Sequence, residues 1–174
     1  MQRGCIILVG FMGAGKSVCG RLLARRLGRC FVETDDMIVA RQGRSIPEIF
    51  RTDGEERFRS LEAEILTSLA LKSGDVVATG GGFPCRAGRM EALRALGTVV
   101  WLRGRLDDLC ARARRSGDRP MLAGRAAAEV EALYRAREPY YAQAHLTVDT
   151  TGLGPDQVVG RVLAALREAH AAPL

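Results

Sequence analysis

The stretch Gly10-Phe11-Met12-Gly13-Ala14-Gly15-Lys16-Ser17 restricts this chain more than any other. It follows the apolar run Cys5-Ile6-Ile7-Leu8-Val9 and precedes a helical pattern. It reads G-x-x-x-x-G-K-S in the strand–loop–helix context that phosphate binding requires. Glycines at 10, 13 and 15 let the backbone bend tightly, so that successive N–H groups point inward at a phosphate chain. The helix starting near Gly15 adds its free N–H groups and the positive end of its dipole. Lys16 is expected to place a point charge on the β- and γ-phosphates, and the Ser17 hydroxyl to ligate Mg²⁺. Gly13, Ala14, Gly15 and Val18 complete the expected nucleotide loop. The competing reading is a glycine-rich turn that binds nothing. The full order of strand, loop, Lys-Ser and helix favours a nucleoside triphosphate.

At 174 residues the chain is expected to be one domain, 1–174, long enough to bury a proper core. No apolar run approaches the roughly 18 residues of a membrane span, and the first one runs into the phosphate loop instead of a signal cleavage site. Five cysteines, at 5, 19, 30, 85 and 110, are odd in number and lack C-x-x-C spacing. Free thiols in a reducing cytoplasm are therefore expected, with neither disulfides nor a zinc site. A net charge of +6 suits either nucleic acid or small anions. Aromatics make up only 5%, and the densest basic run, Arg112 to Arg115, has none interleaved, so no nucleic-acid partner is expected. A monomer acting on small anionic substrates is the expectation.

Short apolar strands alternate with amphipathic helices, which predicts an α/β fold with a five-stranded parallel sheet sandwiched by helices. The strands are placed at Cys5 to Val9, Cys30 to Val32, Asp75 to Thr79, Thr98 to Leu102 and Leu146 to Asp149. Ser45, Pro47 and Glu48 read as a capped helix start, and Thr52-Asp53-Gly54-Glu55 as the opening of a long helix. Pro139 is expected to interrupt the helix that begins near Ala126. Gly80-Gly81-Gly82 follows a strand end, where parallel sheets bind ligands. The segment Arg105 to Arg125 begins as a helix and becomes rich in arginine, glycine and alanine. It reads as a mobile, arginine-bearing lid at about 112–124.

The chain resembles the shikimate kinases along nearly its whole length. The matching pieces occur in family order: G-F-M-G-A-G-K-S at 10–17, E-T-D at 33–35, G-R-S-I at 43–46 and D-G-E-E-R-F-R at 53–59. The G-G-G triplet at 80–82, D-R-P-M-L at 118–122 and R-E-P-Y-Y at 137–141 complete the set. The resemblance implies a nucleoside-monophosphate-kinase-like fold, with a substrate-binding segment at about 34–62. It implies transfer of the γ-phosphate of ATP to the 3-hydroxyl of shikimate, with Mg²⁺. Asp35 would accept the hydroxyl proton, and Arg59 and Arg137 would hold the shikimate carboxylate. Gly80, Gly81 and Gly82 would contact the ring, and Arg119 would reach the ATP phosphates from the lid. Arg112 matches the arginine that stacks on adenine, with Arg114 and Arg115 as alternatives.

Each residue also has a plainer reading. Arg59 is a helix-surface partner for Glu55 and Glu62, Arg137 a solvated charge, Arg119 a turn residue and Asp35 an N-cap. Three departures from the family pattern stand out. Glu33 occupies the position associated with the Mg²⁺ water shell, where aspartate is usual. Val18 replaces a common threonine. Phe83-Pro84-Cys85 is bulkier than the small residues usual after the triplet, and the expectation is that it narrows or reshapes the substrate side. The alternatives are another small-molecule kinase of the fold, such as a gluconate-type kinase, or an ATP-binding regulator that has lost catalysis.

Overall fold

The computed structural model describes residues 4–70, 74–115 and 126–171. Five strands form one parallel sheet: β1 Cys5–Val9, β2 Phe31–Glu33, β3 Val76–Ala78, β4 Gly97–Arg103 and β5 Leu146–Asp149. Their spatial order is β2-β3-β1-β4-β5. Seven helices among the described residues connect and cover them: α1 Lys16–Leu27, α2 Thr34–Gln42, α3 Ile46–Leu69, α4 Arg89–Leu96, α5 Leu106–Arg115, α6 Ala127–Tyr141 and α7 Pro155–Ala171.

The sheet is the core. Ile7, Leu8 and Val9 are 0% exposed, as are Val99, Val100 and Leu102, because helices cover both faces of these central strands. Helix α1 buries Cys19, Leu23 and Ala24, while Leu22 and Leu27 are only partly covered. A Cβ at Gly20 would lie 2.4 Å from the Phe31 ring, so the glycine lets α1 lie close against β2. The register aligns Leu8 with Ala78 and Ala78 with Glu33. The chain therefore leaves β1, β3 and β2 at one level, and three loops meet above them. No disulfide links the five cysteines. Among the described residues no helix is long and apolar enough to cross a membrane.

One expectation about the helices is met and one needs correction. Helix α3 starts at Ile46 with the Ser45–Glu48 capping box and is broken at Gly54 (φ 79°, ψ 175°), so a short capped helix is followed by the long one expected to open at Thr52-Asp53-Gly54-Glu55. Gly54 is the non-helical residue between the two pieces. Pro139, in contrast, does not interrupt α6, which continues to Tyr141. The missing N–H falls in the last turn, and the fully buried Tyr141 anchors that turn by donating its hydroxyl to the Gly81 oxygen at 2.6 Å. That tertiary contact outweighs the local cost of the proline.

Gly13 packs the phosphate loop against α5. It has φ 75°, and a Cβ there would sit 2.0 Å from the Leu109 oxygen. Gly13→Ala is expected to cost about 3 kcal/mol of stability, from backbone strain and overpacking together. Urea unfolding of the two proteins tests this; equal midpoints would disprove it.

Candidate active site

One cleft of about 1080 Å³ opens where the three loops meet. Gly13 to Val18 form its floor; Glu33 and Asp35, Arg59 and Glu62, the triplet 80–82, Arg112 and Arg137 stand around it. The loops after β1, β2 and β3 thus converge at the carboxyl edge of the sheet, as parallel sheets favour.

Lys16 is the first residue of α1 and is 4% exposed. A buried cation at the positive end of a helix is locally unfavourable, so the position calls for anions nearby. Its Nζ donates to the carbonyl oxygens of Gly10 at 2.8 Å and Phe11 at 3.0 Å. Ser17, one residue on, donates its hydroxyl to Oε1 of Glu33. Arg21 approaches the other Glu33 oxygen at 3.3 Å and lies over the Phe31 ring. Val18 is exposed and lines the cleft.

The residues fit Mg²⁺. Ser17 and Glu33 offer hard oxygen donors side by side, and Mg²⁺ keeps waters and phosphate oxygens in its remaining positions. Among the described residues no group of three or more His, Cys, Asp or Glu could hold a metal. A cation held by Ser17 and Glu33 would share its ligands with a nucleotide.

The other wall gathers residues far apart in the chain. Asp35 lies in the first turn of α2, one residue after Thr34 and two after Glu33. Thr34, 0% exposed, accepts a hydrogen bond from the Gly80 N–H at 3.0 Å, which ties this turn to the triplet. A Cβ at Gly80 would lie 2.6 Å from Asp35 Oδ1. At Gly82 it would lie 3.0 Å from Arg59 Nη1 and 3.2 Å from Arg137 Nη2. One carboxylate and two guanidinium groups therefore border the same three glycines. Asp35 is not the N-cap of α2; that position is Glu33, whose side chain makes no capping bond.

Arg59 answers to both of its readings. It pairs with Glu55 at 2.9 Å and Glu62 at 3.1 Å, yet its side chain is only 14% exposed and faces the triplet. Arg137 is 8% exposed and stands over the Phe11 ring. It is not a solvated charge. Burial pushes the Glu62 carboxyl above the ordinary range, against the pull of Arg59 and Arg89.

Arg112 alone of its trio lines the cleft; Arg114 and Arg115 are exposed. Its guanidinium donates to the Thr150 hydroxyl at 3.2 Å and the Thr150 oxygen at 2.8 Å. Leu153, Pro155 and Val158 line the same end of the cleft and make an apolar wall. Arg119 and residues 116–124 of the expected lid lie outside the described residues.

A family model described as shikimate kinase matches residues 12–167. The chain belongs to the shikimate kinase family. A shikimate kinase of Symbiobacterium thermophilum is 44% identical over 167 residues, covering 94% of this chain and 96% of the relative. One of Geobacter sulfurreducens is 45% identical over 164 residues, with coverage of 94% and 91%. Among solved structures, a shikimate kinase from Acinetobacter baumannii in complex with shikimate is 33% identical with a TM-score of 0.89, covering 98% of this chain and 96% of that one. A gluconokinase from Sinorhizobium meliloti is 18% identical with a TM-score of 0.57, and so shares the fold.

For a shikimate kinase family member, the bulk after the triplet is not where the sequence suggested. Phe83 is 0% exposed and packs inward under Arg89; it does not line the cleft. Sequence reasoning also missed the apolar wall at Leu153 to Val158 and the anchoring role of Tyr141. The wall follows the last strand, so the carboxyl-edge rule could have flagged it. Tyr141 carried no signal apart from its family piece. Near Asp35 and Arg59 the cleft is also lined by Ile46, Pro47 and Phe50, whose ring packs 4.6 Å from that of Phe58.

Proposed function

We propose that this chain transfers the γ-phosphoryl group of ATP to the 3-hydroxyl of shikimate, giving shikimate 3-phosphate and ADP in the route to chorismate and the aromatic amino acids. One observation carries the reading: Asp35, Arg59 and Arg137 border the same glycine turn in the cleft that holds the phosphate loop.

The nucleotide lies along Gly13 to Val18, with its base between Arg112 and the Leu153–Val158 wall. Lys16 turns from the Gly10 and Phe11 carbonyls towards the β- and γ-phosphates. Ser17, with Glu33 behind it, holds Mg²⁺, which supplies charge neutralisation on the phosphate oxygens. Arg59 and Arg137 take the acceptor carboxylate with their fork-shaped donors, which fixes the orientation of the ring as well as its presence. Gly80 to Gly82 let the ring approach the backbone. Asp35 orients the 3-hydroxyl and accepts its proton late in the transfer. Arg119 reaches the phosphates as the resemblance implies. Catalysis is then mostly positioning and charge stabilisation. All these residues come from one chain, so the reaction calls for no second copy, and the scattered cysteines suit the cytoplasm.

A coupled ADP-release assay with MgATP tests the reading by comparing shikimate, gluconate and no acceptor. Shikimate-dependent release, with the phosphorylated product confirmed by mass, is expected. Release on gluconate but not shikimate would transfer the site to another acid. Arg59→Ala should raise the KM for shikimate by about a hundredfold, the scale of losing charge-assisted hydrogen bonds to a carboxylate. An unchanged KM would remove Arg59 from the site.

A further inference from the structure

Arg89 stands where local preference opposes it. It is the first residue of α4, directly after the N-cap Gly88, where open N–H groups and the helix dipole repel a cation. Its side chain is nevertheless only 11% exposed. Burial pulls its pKa down; Glu62 opposes that fall, and Arg59 and Arg86 add to it. Buried groups placed against local rules mark functional or strained sites.

Three contacts hold Arg89. Nη2 donates to the backbone oxygen of Arg59 at 3.0 Å. Nη1 is buried, makes no hydrogen bond, and faces Oε2 of Glu62 at 3.9 Å. The guanidinium lies 5.2 Å from the Phe83 ring centroid, and Phe83 follows Gly82 directly. Arg89 thus joins the helix carrying Arg59 to the turn carrying the triplet.

The charges around Arg59 explain why such a link is needed. Two carboxylates face it, Glu55 and Glu62. Glu55 is 60% exposed and can swing into water, whereas Glu62 is 1% exposed and cannot. With no second cation, Glu62 would keep the Arg59 guanidinium for itself. We infer that Arg89, seated on Phe83, is a positioning residue that shares the charge of Glu62 and so leaves Arg59 free to take the acceptor carboxylate. The inference rests on the shikimate reading above. It also gives the bulky Phe83 a purpose outside the cleft.

The test is steady-state kinetics of the full chain with Arg89→Met, Arg89→Lys, Glu62→Gln and the double variant Glu62→Gln/Arg89→Met. Arg89→Met keeps an apolar stem on Phe83 and removes the charge. It should raise the KM for shikimate about tenfold, while kcat and the KM for MgATP stay within about twofold. Arg89→Lys should recover most of the loss. The double variant buries neither charge, so its KM should return to within about threefold of Glu62→Gln alone. That double variant decides the question even where Arg89→Met does not fold. A fall in kcat alone, an equal rise in both KM values, or a double variant still about tenfold above Glu62→Gln overturns the inference. A wild-type chain inactive on shikimate but active on gluconate overturns the functional reading as well, and the two failures are distinct.

Discussion

Asp35→Asn is expected to lower kcat by about 10²- to 10⁴-fold, the usual contribution of a positioned acid–base group. The substitution preserves shape and hydrogen-bonding reach, so the binding of MgATP at the far end of the cleft should not change. Stability should change little as well. The charge of Asp35 at the start of α2 gains from the helix dipole. The same charge pushes the buried Glu62 carboxyl upward, so removing it relieves a repulsion. These effects oppose each other. A melting temperature close to wild type, with kcat lost and the KM for ATP kept, is the expected pattern. Full activity in Asp35→Asn would show that the hydroxyl proton leaves by another route, and would reduce Asp35 to a shape-filling role.

Lys16→Met should reduce kcat by about 10²- to 10³-fold, the scale seen when one preorganised donor is removed from developing charge. Here ATP binding should weaken too, because the lysine charge acts on the ground-state phosphates as well as on the transferring group. Shikimate affinity should be untouched, since Arg59 and Arg137 sit on the opposite wall. Lys16 also holds the Gly10 and Phe11 carbonyls, so some stability should be lost with it. The Gly10 carbonyl would lose its lysine donor, at about 1–3 kcal/mol, while the Phe11 carbonyl would still accept from the Ala14 N–H at 3.2 Å. Isothermal titration with ADP and with shikimate, run on the same sample, separates these effects. Equal loss of both affinities would mean that the loop had collapsed and the charge had not been tested.

The phosphate loop was legible because its chemistry is contiguous: eight consecutive residues carry backbone, cation and hydroxyl together. The alternation of strands and helices was legible for a similar reason, since each element writes its own period. The acceptor wall was different. Asp35, Arg59 and Arg137 come from three elements: the strand ends offered Asp35 and the triplet with Arg59 able to face them from a helix, while only the order of the family pieces brought in Arg137. Taken alone, Arg59 read as a surface partner of Glu55 and Glu62, and that pairing is real; the turn at Gly82 that also faces it is invisible at the level of spacing. Phe83 failed for a related reason. A residue after a glycine turn can point either way, and the turn itself sends Phe83 into the core. Arg112 could be told from Arg114 and Arg115 only once the phase of α5 was known, because one turn of helix carries all three past different neighbours.

The break at Gly54 divides α3 into two pieces with different duties. The first, from Ile46, brings Pro47, Phe50 and Arg51 to the mouth of the cleft. The second buries Phe58, Leu61, Ile65 and Leu69 and carries Arg59. A designer seeking a different acceptor could therefore exchange the front piece as a cassette, capped by Ser45 at one end and released by Gly54 at the other. The rear piece, with Arg59, would stay anchored in the core by Phe58, Leu61, Ile65 and Leu69. The buried Ile49 pins the front piece from beneath, so a change in its cleft-facing residues can alter the rim without disturbing the phosphate loop.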